Sequence, residues 1–228
     1  MEPGYQSPLK LGRILRILLI AWAVVAPATL ILMSLRGSWG AVMAFLIPAA
    51  APLASVAGVL ASLLGRAVFP AAIVFQSLWT YRLRKNLVAL EVASLHFSPG
   101  WAVAWSFVPV MNLFRPWQVM RETVQASQTM PVGADPQTWK VAPYSSLVHW
   151  WWWLPLVMNL LGTAGFVGVL VVPIVGSGFP APMPWYAYYL FIPSAILQPV
   201  LTYFLVRQVT SLQDAKLAAL AGAASGRL

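Results

Sequence analysis

The sequence contains no cysteine and few charged residues. The lack of cysteine excludes disulfide bonds, thiolate nucleophiles and cysteine-ligated metal sites. Only 8% of the residues are Asp, Glu, Lys or Arg, and only five are acidic. None of these carboxylates lies within an apolar run. Because proton relays and cation paths place ionisable groups at membrane depth, the sequence argues against a pump or an ion-coupled transporter.

Apolar residues are abundant instead, and they form long runs between short basic clusters. Hydrophobic residues make up 60% of the 228 residues. A water-soluble fold cannot cover so much apolar surface, so the lipid bilayer is the first predicted partner. The 12 Trp and 7 Tyr suit the two interfaces of a membrane. We therefore predict an all-α fold, an integral membrane helical bundle that forms one domain over residues 1–228.

Four apolar runs are long enough to be transmembrane helices, and another run is broken by proline. The predicted spans are residues 14–35, 55–81, 147–175 and 185–206. Residues 97–129 are predicted to be a re-entrant or interfacial segment, because their apolar part, 97–114, contains Pro99 and Pro109 and is short for a span. Residues 41–54 are predicted to be irregular or re-entrant.

The second half of the proline-broken segment has a different pattern. Residues 115–129 are predicted to form an amphipathic helix in the membrane interface, with Met120 on the apolar face. Glu122 is predicted on the opposite, polar face. There it pairs with Arg121, or with Arg115 if the fold allows, as a surface ion pair worth less than about 1 kcal/mol.

The positive charge predicts the orientation of the chain. The net charge of +9 comes from 14 Lys and Arg against 5 Asp and Glu, and with no water-soluble basic surface it indicates topology rather than a nucleic-acid partner. If residues 97–114 return to the side they left, only Arg36 and Arg66 lie away from the other basic residues. Residues 1–13 and the tail 207–228 are then cytoplasmic. If residues 97–114 cross fully, the basic residues divide almost evenly between the two sides.

Several stretches resemble a bacterial membrane-protein family known as domain of unknown function 4328. The stretches are Trp79-Thr-Tyr81-Arg82-Leu-Arg84-Lys-Asn86, then Ser98-Pro99-Gly100-Trp101 through Trp105, Pro109 and Asn112-Leu113-Phe-Arg115-Pro116, then Met120-Arg121-Glu122, Trp150 to Trp153 and, more weakly, Val206 to Gln213. The resemblance covers roughly residues 56 to 213. Residues 41–54 are more apolar than the family's first loop, and Arg66 interrupts the second span. The resemblance implies a multi-pass protein of the bacterial inner membrane, and it implies no activity.

Two groups of residues are candidates for binding. The first is polar and predicted to be cytoplasmic, a site for an anionic lipid headgroup or a partner, made of Arg82, Asn86, Asn112, Arg115 and Glu122. The alternative, which the sequence favours, is that the amides and Glu122 satisfy backbone groups freed by the prolines while the arginines face lipid phosphates. The second group would form the wall of a cleft, and consists of Pro99, Gly100, Trp101, Trp105 and Pro109.

The sequence predicts no catalytic residue, no metal site and no cofactor. His96 and His149 lie at segment edges, and no carboxylate stands at ligand spacing from them. No Gly-x-Ser-x-Gly turn or phosphate-binding glycine loop occurs. The four tryptophans Trp150 to Trp153 surround their helix at about 100° per residue, so they are interpreted as an aromatic belt that fixes depth in the membrane.

Three functions remain open at this stage. The first is a non-enzymatic accessory or scaffold module that binds another membrane protein or a second copy of itself, with Gly162, Gly165 and Gly168 allowing close helix contact. The second is a module that binds or moves a lipid or another amphiphile, with the Pro-Gly-Trp segment as cleft wall and Arg82 or Arg115 at the headgroup. A membrane enzyme is the third. The sequence favours the first.

Overall fold

The structure, a computed structural model, describes residues 5–34, 50–131, 135–176 and 185–225. Within these ranges the chain is helical with short turns and contains no strand, which confirms the predicted all-α class. We number the α-helices in chain order: α1 Leu9–Ser34, α2 Ala50–Ala89, α3 Pro99–Ala104, α4 Arg115–Ala126, α5 Leu147–Gly176 and α6 Trp185–Ser225. Two 3-10 turns, Met111–Leu113 and Thr138–Val141, lie on either side of α4.

Helix boundaries differ from the predicted ones where proline and polar residues are tolerated. Helix α2 includes residues 50–54, which were predicted to be irregular, because Pro52 lies in the first turn, where its missing N–H breaks no helical bond. Residues 41–49 lie outside the described residues. Helix α6 continues without a break through residue 206 to Ser225, so the predicted span and most of the tail are one helix.

Two helices of the described chain are long and apolar enough to cross a membrane. They are Leu9–Ile31 in α1 and Leu63–Ala89 in α2. Only 17% and 11% of their most apolar windows are buried inside the protein. A core helix of a soluble protein buries its apolar side chains, whereas residues such as Ile17, Val24 and Leu63 are exposed here. These helices therefore present apolar surface outward, as helices in lipid do.

The chain forms two compact units, and each long helix contributes to both. Unit 1 comprises Met1–Ile17, Ile73–Trp152 and Leu201–Leu228, and unit 2 comprises Leu18–Ala72 and Trp153–Val200. In unit 2, the rings of Trp22 and Phe69 meet edge to face at 5.2 Å between centroids. The amide of Asn159 donates a 2.8 Å hydrogen bond to the Ser194 hydroxyl, which joins α5 to α6.

Unit 1 packs the N-terminal end of α1 against α2 and the C-terminal half of α6. Gly12 lies where these helices approach closely, since a Cβ there would be 3.3 Å from Val206 Cγ1 and 3.7 Å from Trp79 Nε1. The buried indole of Trp79 donates a 3.4 Å hydrogen bond to Thr210. A methyl group at position 12 would require the Val206 side chain to move by a few tenths of an ångström.

The segment from residue 97 to 114 folds back on itself. Ser98 caps α3 by accepting a hydrogen bond from the Trp101 N–H, and α3 ends after six residues. The chain then turns at Val110, whose φ is 66°, and enters α4. At the two ends of the segment, the Arg115 guanidinium carbon lies 5.7 Å from the centroid of the Phe97 ring. A straight 18-residue helix would separate its ends by about 27 Å. The ends of this segment are in contact instead, so the segment folds back on itself.

Candidate functional site

A buried ion pair fixes the start of the folded-back segment. Arg84, on α2, is fully buried, and its Nη2 lies 3.0 Å from Oε1 of Glu122 on α4. The same Nη2 donates a hydrogen bond to the Phe97 carbonyl, and Nη1 reaches the Thr123 hydroxyl at 3.5 Å. The backbone N–H of His96 donates to Glu122 Oε1 at 2.7 Å. One ion pair thus joins α2, α4 and the entry to α3.

This geometry corrects the predicted surface pair of Glu122 with Arg121 or Arg115. Glu122 is 7% exposed, and its partner is Arg84. The prediction was wrong because α4 is covered on more than its apolar face: Glu122, Thr123 and Gln125 are buried with Met120. The buried stripe of Trp79, Leu83 and Leu87 on α2 has Arg84 at its edge. This periodic pattern was the available signal for an inward-facing arginine.

A second buried polar group joins the N-terminus, α2 and α6. The Asn86 amide donates to the side-chain oxygen of Gln213 at 3.2 Å and to the Gln6 carbonyl at 3.0 Å. The Gln213 amide donates in turn to the Leu83 carbonyl at 3.0 Å and to the Ser127 hydroxyl at 3.3 Å. Asn86 therefore joins the N-terminal segment to α2 and α6, whereas the alternative interpretation assigned it to backbone groups freed by the prolines. It does not lie with Arg115 and Glu122.

Two further contacts attach α6 to its neighbours. The Tyr5 hydroxyl donates a 3.0 Å hydrogen bond to Asp214, and burial together with this carboxylate raises the pKa of Tyr5 above its usual range. Lys216 donates a 2.6 Å hydrogen bond to the carbonyl of Ala126, the last residue of α4. Burial lowers the pKa of Lys216. A cation at this position stabilises the negative end of the α4 dipole.

A cavity of about 300 Å³ lies in unit 1 between α2 and the folded-back segment. Its lining comes from α2, from α3 and the turn after it, from α4 and from the start of α5, and contains no charged side chain. The apolar part is Ile73, Ala102, Val103, Phe107, Pro116, Val119, Met120, Trp151 and Trp152. The polar part is Gln76, Ser77, Thr80, Ser106 and Asn112. The cavity is thus an apolar chamber with neutral hydrogen-bonding groups.

The predicted cleft wall lies on the segment that borders this cavity, but other residues of the segment line it. Trp101 is 55% exposed and stacks on Trp105 at 4.9 Å between ring centroids. Gly100 and Pro109 are exposed. The residues of this segment that line the cavity are on the other side of the turn: Ala102, Val103, Ser106 and Phe107. The sequence correctly identified the broken segment. It could not predict which side chains of the segment face inward, because the proline break interrupts the helical periodicity.

The polar residues of the cavity are available to a ligand. Thr80 lies four residues after Gln76 and three after Ser77 on α2, so its side chain neighbours both. Their side chains, and those of Ser106 and Asn112, donate no hydrogen bond to any other residue that the structure describes. Of the predicted binding residues, Asn112 is the one that lines this cavity.

A separate basic cleft of about 430 Å³ lies on the other face of α4. It is lined by Ser94, His96, Arg115, Trp117, Gln118, Arg121, Glu122, Trp139 and Lys140. The predicted Arg115 and Glu122 therefore meet here. Arg82, the other predicted arginine, is half-buried and lines neither the cavity nor this cleft. Arg121 and Lys140 were missed as site residues because the loop that brings Lys140 to α4 has no sequence pattern that fixes its path.

The four adjacent tryptophans divide between the protein and its surroundings. Trp151 is 2% exposed and donates a 2.9 Å hydrogen bond from its indole to Thr202 of α6. The Trp152 indole donates to the Leu113 carbonyl at 2.9 Å. Trp150 and Trp153 are exposed. Two of the four rings thus serve the fold and the cavity, and the other two are exposed.

The comparison with protein families decides the relationship that the sequence suggested. A family model described as "Domain of unknown function (DUF4328)" matches residues 41–181. The chain belongs to the DUF4328 family. The match includes residues 41–54, which the resemblance had set apart, and it ends before the C-terminal stretch 206–213. In this DUF4328 protein both the cavity and the basic cleft are built almost entirely from residues inside the family match.

Comparisons with curated proteins and with solved structures gave no match. In the described ranges, no three His, Asp or Glu side chains are grouped so that they could hold a metal ion.

Proposed function

We propose that this DUF4328 protein is a four-span protein of the bacterial inner membrane, with both termini in the cytoplasm. The two helices that could cross a membrane support the first two spans. The apolar runs of α5 and of the first part of α6 provide two more. The basic residues at both termini, at the end of α2 and on α4 then lie on one side, as the positive-inside rule requires.

The folded-back segment supports an even number of crossings. The ends of residues 97–114 lie within contact distance of each other, at Phe97 and Arg115. A transmembrane segment has its ends about 30 Å apart, on opposite sides of the hydrocarbon core. A segment whose ends meet returns to the side it left. The end of α2 and the start of α4 are therefore both cytoplasmic in this proposal.

Within that framework, we propose that the protein binds an amphiphile in the cavity between α2 and the folded-back segment. The observation that carries this function is the lining: nine apolar residues, five neutral hydrogen-bonding side chains and no charge, next to a helix with the length and composition of a span. Ligand sites are typically apolar chambers with a few polar groups that fix orientation. An empty chamber of this volume beside acyl chains would be filled by them.

The side chains that line the cavity indicate which part of a lipid it would hold. Ser77, Thr80 and Ser106 offer hydroxyl donors, and Gln76 and Asn112 offer amide donors. Ester and amide carbonyls of a lipid are uncharged acceptors that lie just beneath the headgroup. The cavity therefore suits the carbonyl region and the upper acyl chain of a lipid, with the headgroup outside it.

Filling the cavity tests this function. Ser77→Phe places a ring in the chamber, whereas Val74→Phe places the same ring on α2 at an exposed position outside it. After gentle purification in native lipid, we expect native mass spectrometry to find about tenfold less retained lipid on Ser77→Phe than on wild type, the result of losing about 1.4 kcal/mol of binding. Val74→Phe should retain the wild-type amount.

Equal lipid retention by wild type, Ser77→Phe and Val74→Phe would overturn amphiphile binding. If both variants also co-purify with the same membrane protein as wild type, the accessory or scaffold function becomes the better account. The side chains around Gly162, Gly165 and Gly168, which the sequence offered for close helix contact, lie outside those that the structure describes.

A further inference from the structure

We propose that the basic cleft is a second binding site, which holds a phosphoryl group through Arg115, Arg121 and Lys140. The site is independent of the amphiphile cavity, because the two use opposite faces of α4. Pro116, Val119 and Met120 face the cavity, whereas the arginines lie on the cleft side.

The cleft has an unbalanced positive charge. Glu122 is the one carboxylate in its lining, and Arg84 and the His96 N–H already occupy its Oε1. Among the described residues, the pair of Arg84 with Glu122 is the only salt bridge, so none of the three cleft cations is paired with a carboxylate there. Three unneutralised cations around one concavity repel one another, and an anion that enters relieves this repulsion.

Aromatic rings hold the cations in place. The Arg115 guanidinium lies over Trp105 at 5.5 Å and also faces the rings of Phe97 and Phe114. The Arg121 guanidinium lies 5.2 Å from the Trp117 ring. A solvated surface cation moves freely and loses entropy when it binds a ligand, whereas a stacked guanidinium is already ordered.

Stacking leaves the hydrogen-bond donors of these cations available. The donors of a guanidinium lie in its plane, so a ring against its face blocks none of them. Arg115 uses Nη1 to donate to Gln118 at 2.9 Å, and its Nη2 donates no hydrogen bond to a described residue. Lys140 donates to Gln137 at 2.9 Å and has two further N–H donors.

A phosphoryl group fits this arrangement better than a carboxylate does. It carries up to two negative charges and three terminal oxygens, one for each cation, and arginine forks match its geometry. A free phosphomonoester presents all of this chemistry, whereas the phosphodiester of a phospholipid headgroup presents one negative charge and two terminal oxygens.

Two double variants with equal loss of charge test the site. Arg121→Gln with Lys140→Gln removes two cleft cations that are exposed and therefore dispensable for folding, and the control, Lys85→Gln with Arg207→Gln, removes two exposed cations outside the cleft. Binding of inorganic phosphate is measured by titration calorimetry on the purified protein. Retention of phosphatidylglycerol over phosphatidylcholine is measured by native mass spectrometry from mixed nanodiscs of the two lipids.

We expect the cleft variant to lose about tenfold in affinity for one of these probes, and the control variant to change less than about twofold. Loss of phosphate affinity identifies a free phosphorylated ligand, and loss of phosphatidylglycerol preference alone identifies a lipid headgroup. Equal losses in the two double variants, or no phosphate binding and no lipid preference in wild type, would overturn the site. Ser77→Phe should lower the total amount of retained lipid but leave the phosphate affinity and the ratio of phosphatidylglycerol to phosphatidylcholine unchanged, so failure of the cleft and failure of the cavity are distinguishable.

Discussion

At the scale of single residues, the fold depends on the ion pair of Arg84 with Glu122, which is almost completely buried. Arg84 is completely buried and Glu122 almost so. Bringing both charges out of water is costly, and their mutual attraction offsets that cost only while both partners are present. Arg84 also donates to the Phe97 carbonyl and Glu122 accepts from the His96 N–H, so the pair fixes the backbone where the folded-back segment begins.

Removing one partner of this pair should therefore destabilise the protein strongly. Glu122→Gln keeps the size of the side chain but leaves the Arg84 charge buried without its counter-charge. We expect a loss of about 3–5 kcal/mol in the free energy of unfolding, seen as a lower midpoint in thermal or denaturant unfolding of the solubilised protein.

Glu91→Gln is the matched control, because Glu91 is an exposed carboxylate at the end of α2. It should shift the midpoint very little. If Glu122→Gln is as stable as Glu91→Gln, the buried pair does not organise the fold as we describe.

The identity of a charged partner is what the sequence could not provide at this scale. Glu122 has Arg121 beside it and Arg115 two turns earlier on the same helix, and both are nearer in sequence than Arg84, which lies 38 residues away. Only the path of residues 90–114 brings Arg84 and Glu122 together, and that path depends on turns such as Val110 rather than on any periodic pattern.

At the scale of elements, buried polar contacts attach the N-terminal segment and α6 to the rest of unit 1. Tyr5 binds Asp214, Gln6 binds Asn86, and Gln213 joins α6 to α2. Such contacts specify one arrangement of helices, because an apolar surface alone permits several. They also make the attachment of the N-terminal segment sensitive to pH.

The contact of Tyr5 with Asp214 should weaken in alkaline solution. The folded protein holds the Tyr5 proton more tightly than the unfolded chain does, since its pKa is raised. The stabilisation is therefore complete below the ordinary tyrosine pKa, about 10, and is lost as the pH rises above it. We expect Tyr5→Phe to cost about 1 kcal/mol at pH 8 and less at pH 11, measured from unfolding midpoints.

Tyr81→Phe removes an exposed phenol and controls for general effects of alkaline pH. A Tyr5→Phe penalty that stays constant between pH 8 and pH 11 would show that the phenol proton does not stabilise the fold.

The elements themselves were largely predictable. Long apolar runs located α1, α2, α5 and α6, and Pro99 and Pro109 correctly marked a broken segment, because proline removes helical hydrogen bonds. The unpredictable part was which side of the broken segment faces inward. Periodicity fixes the faces of a helix, but α3 has only six residues and the turn after it has no period.

At the scale of the whole molecule, the described chain combines apolar outer surfaces with a polar interior in unit 1. Apolar side chains of α1 and α2 face outward, while the polar residues of α2, α4 and α6 meet in unit 1. Composition predicted the first property, since 60% hydrophobic residues cannot all be buried. The cavity and the cleft were not predictable, because each is lined from several separate parts of the chain.

The central claim is that residues 97–114 return to the side they left and so enclose a cavity against α2. Since the chain has no cysteine, single cysteines can be introduced at Lys85 and Asp135, which are exposed and lie before and after the segment. The direct measurement is their labelling by a membrane-impermeant thiol reagent in spheroplasts. The account predicts that both are protected until the membrane is permeabilised, and labelling of one but not the other in intact spheroplasts would contradict it.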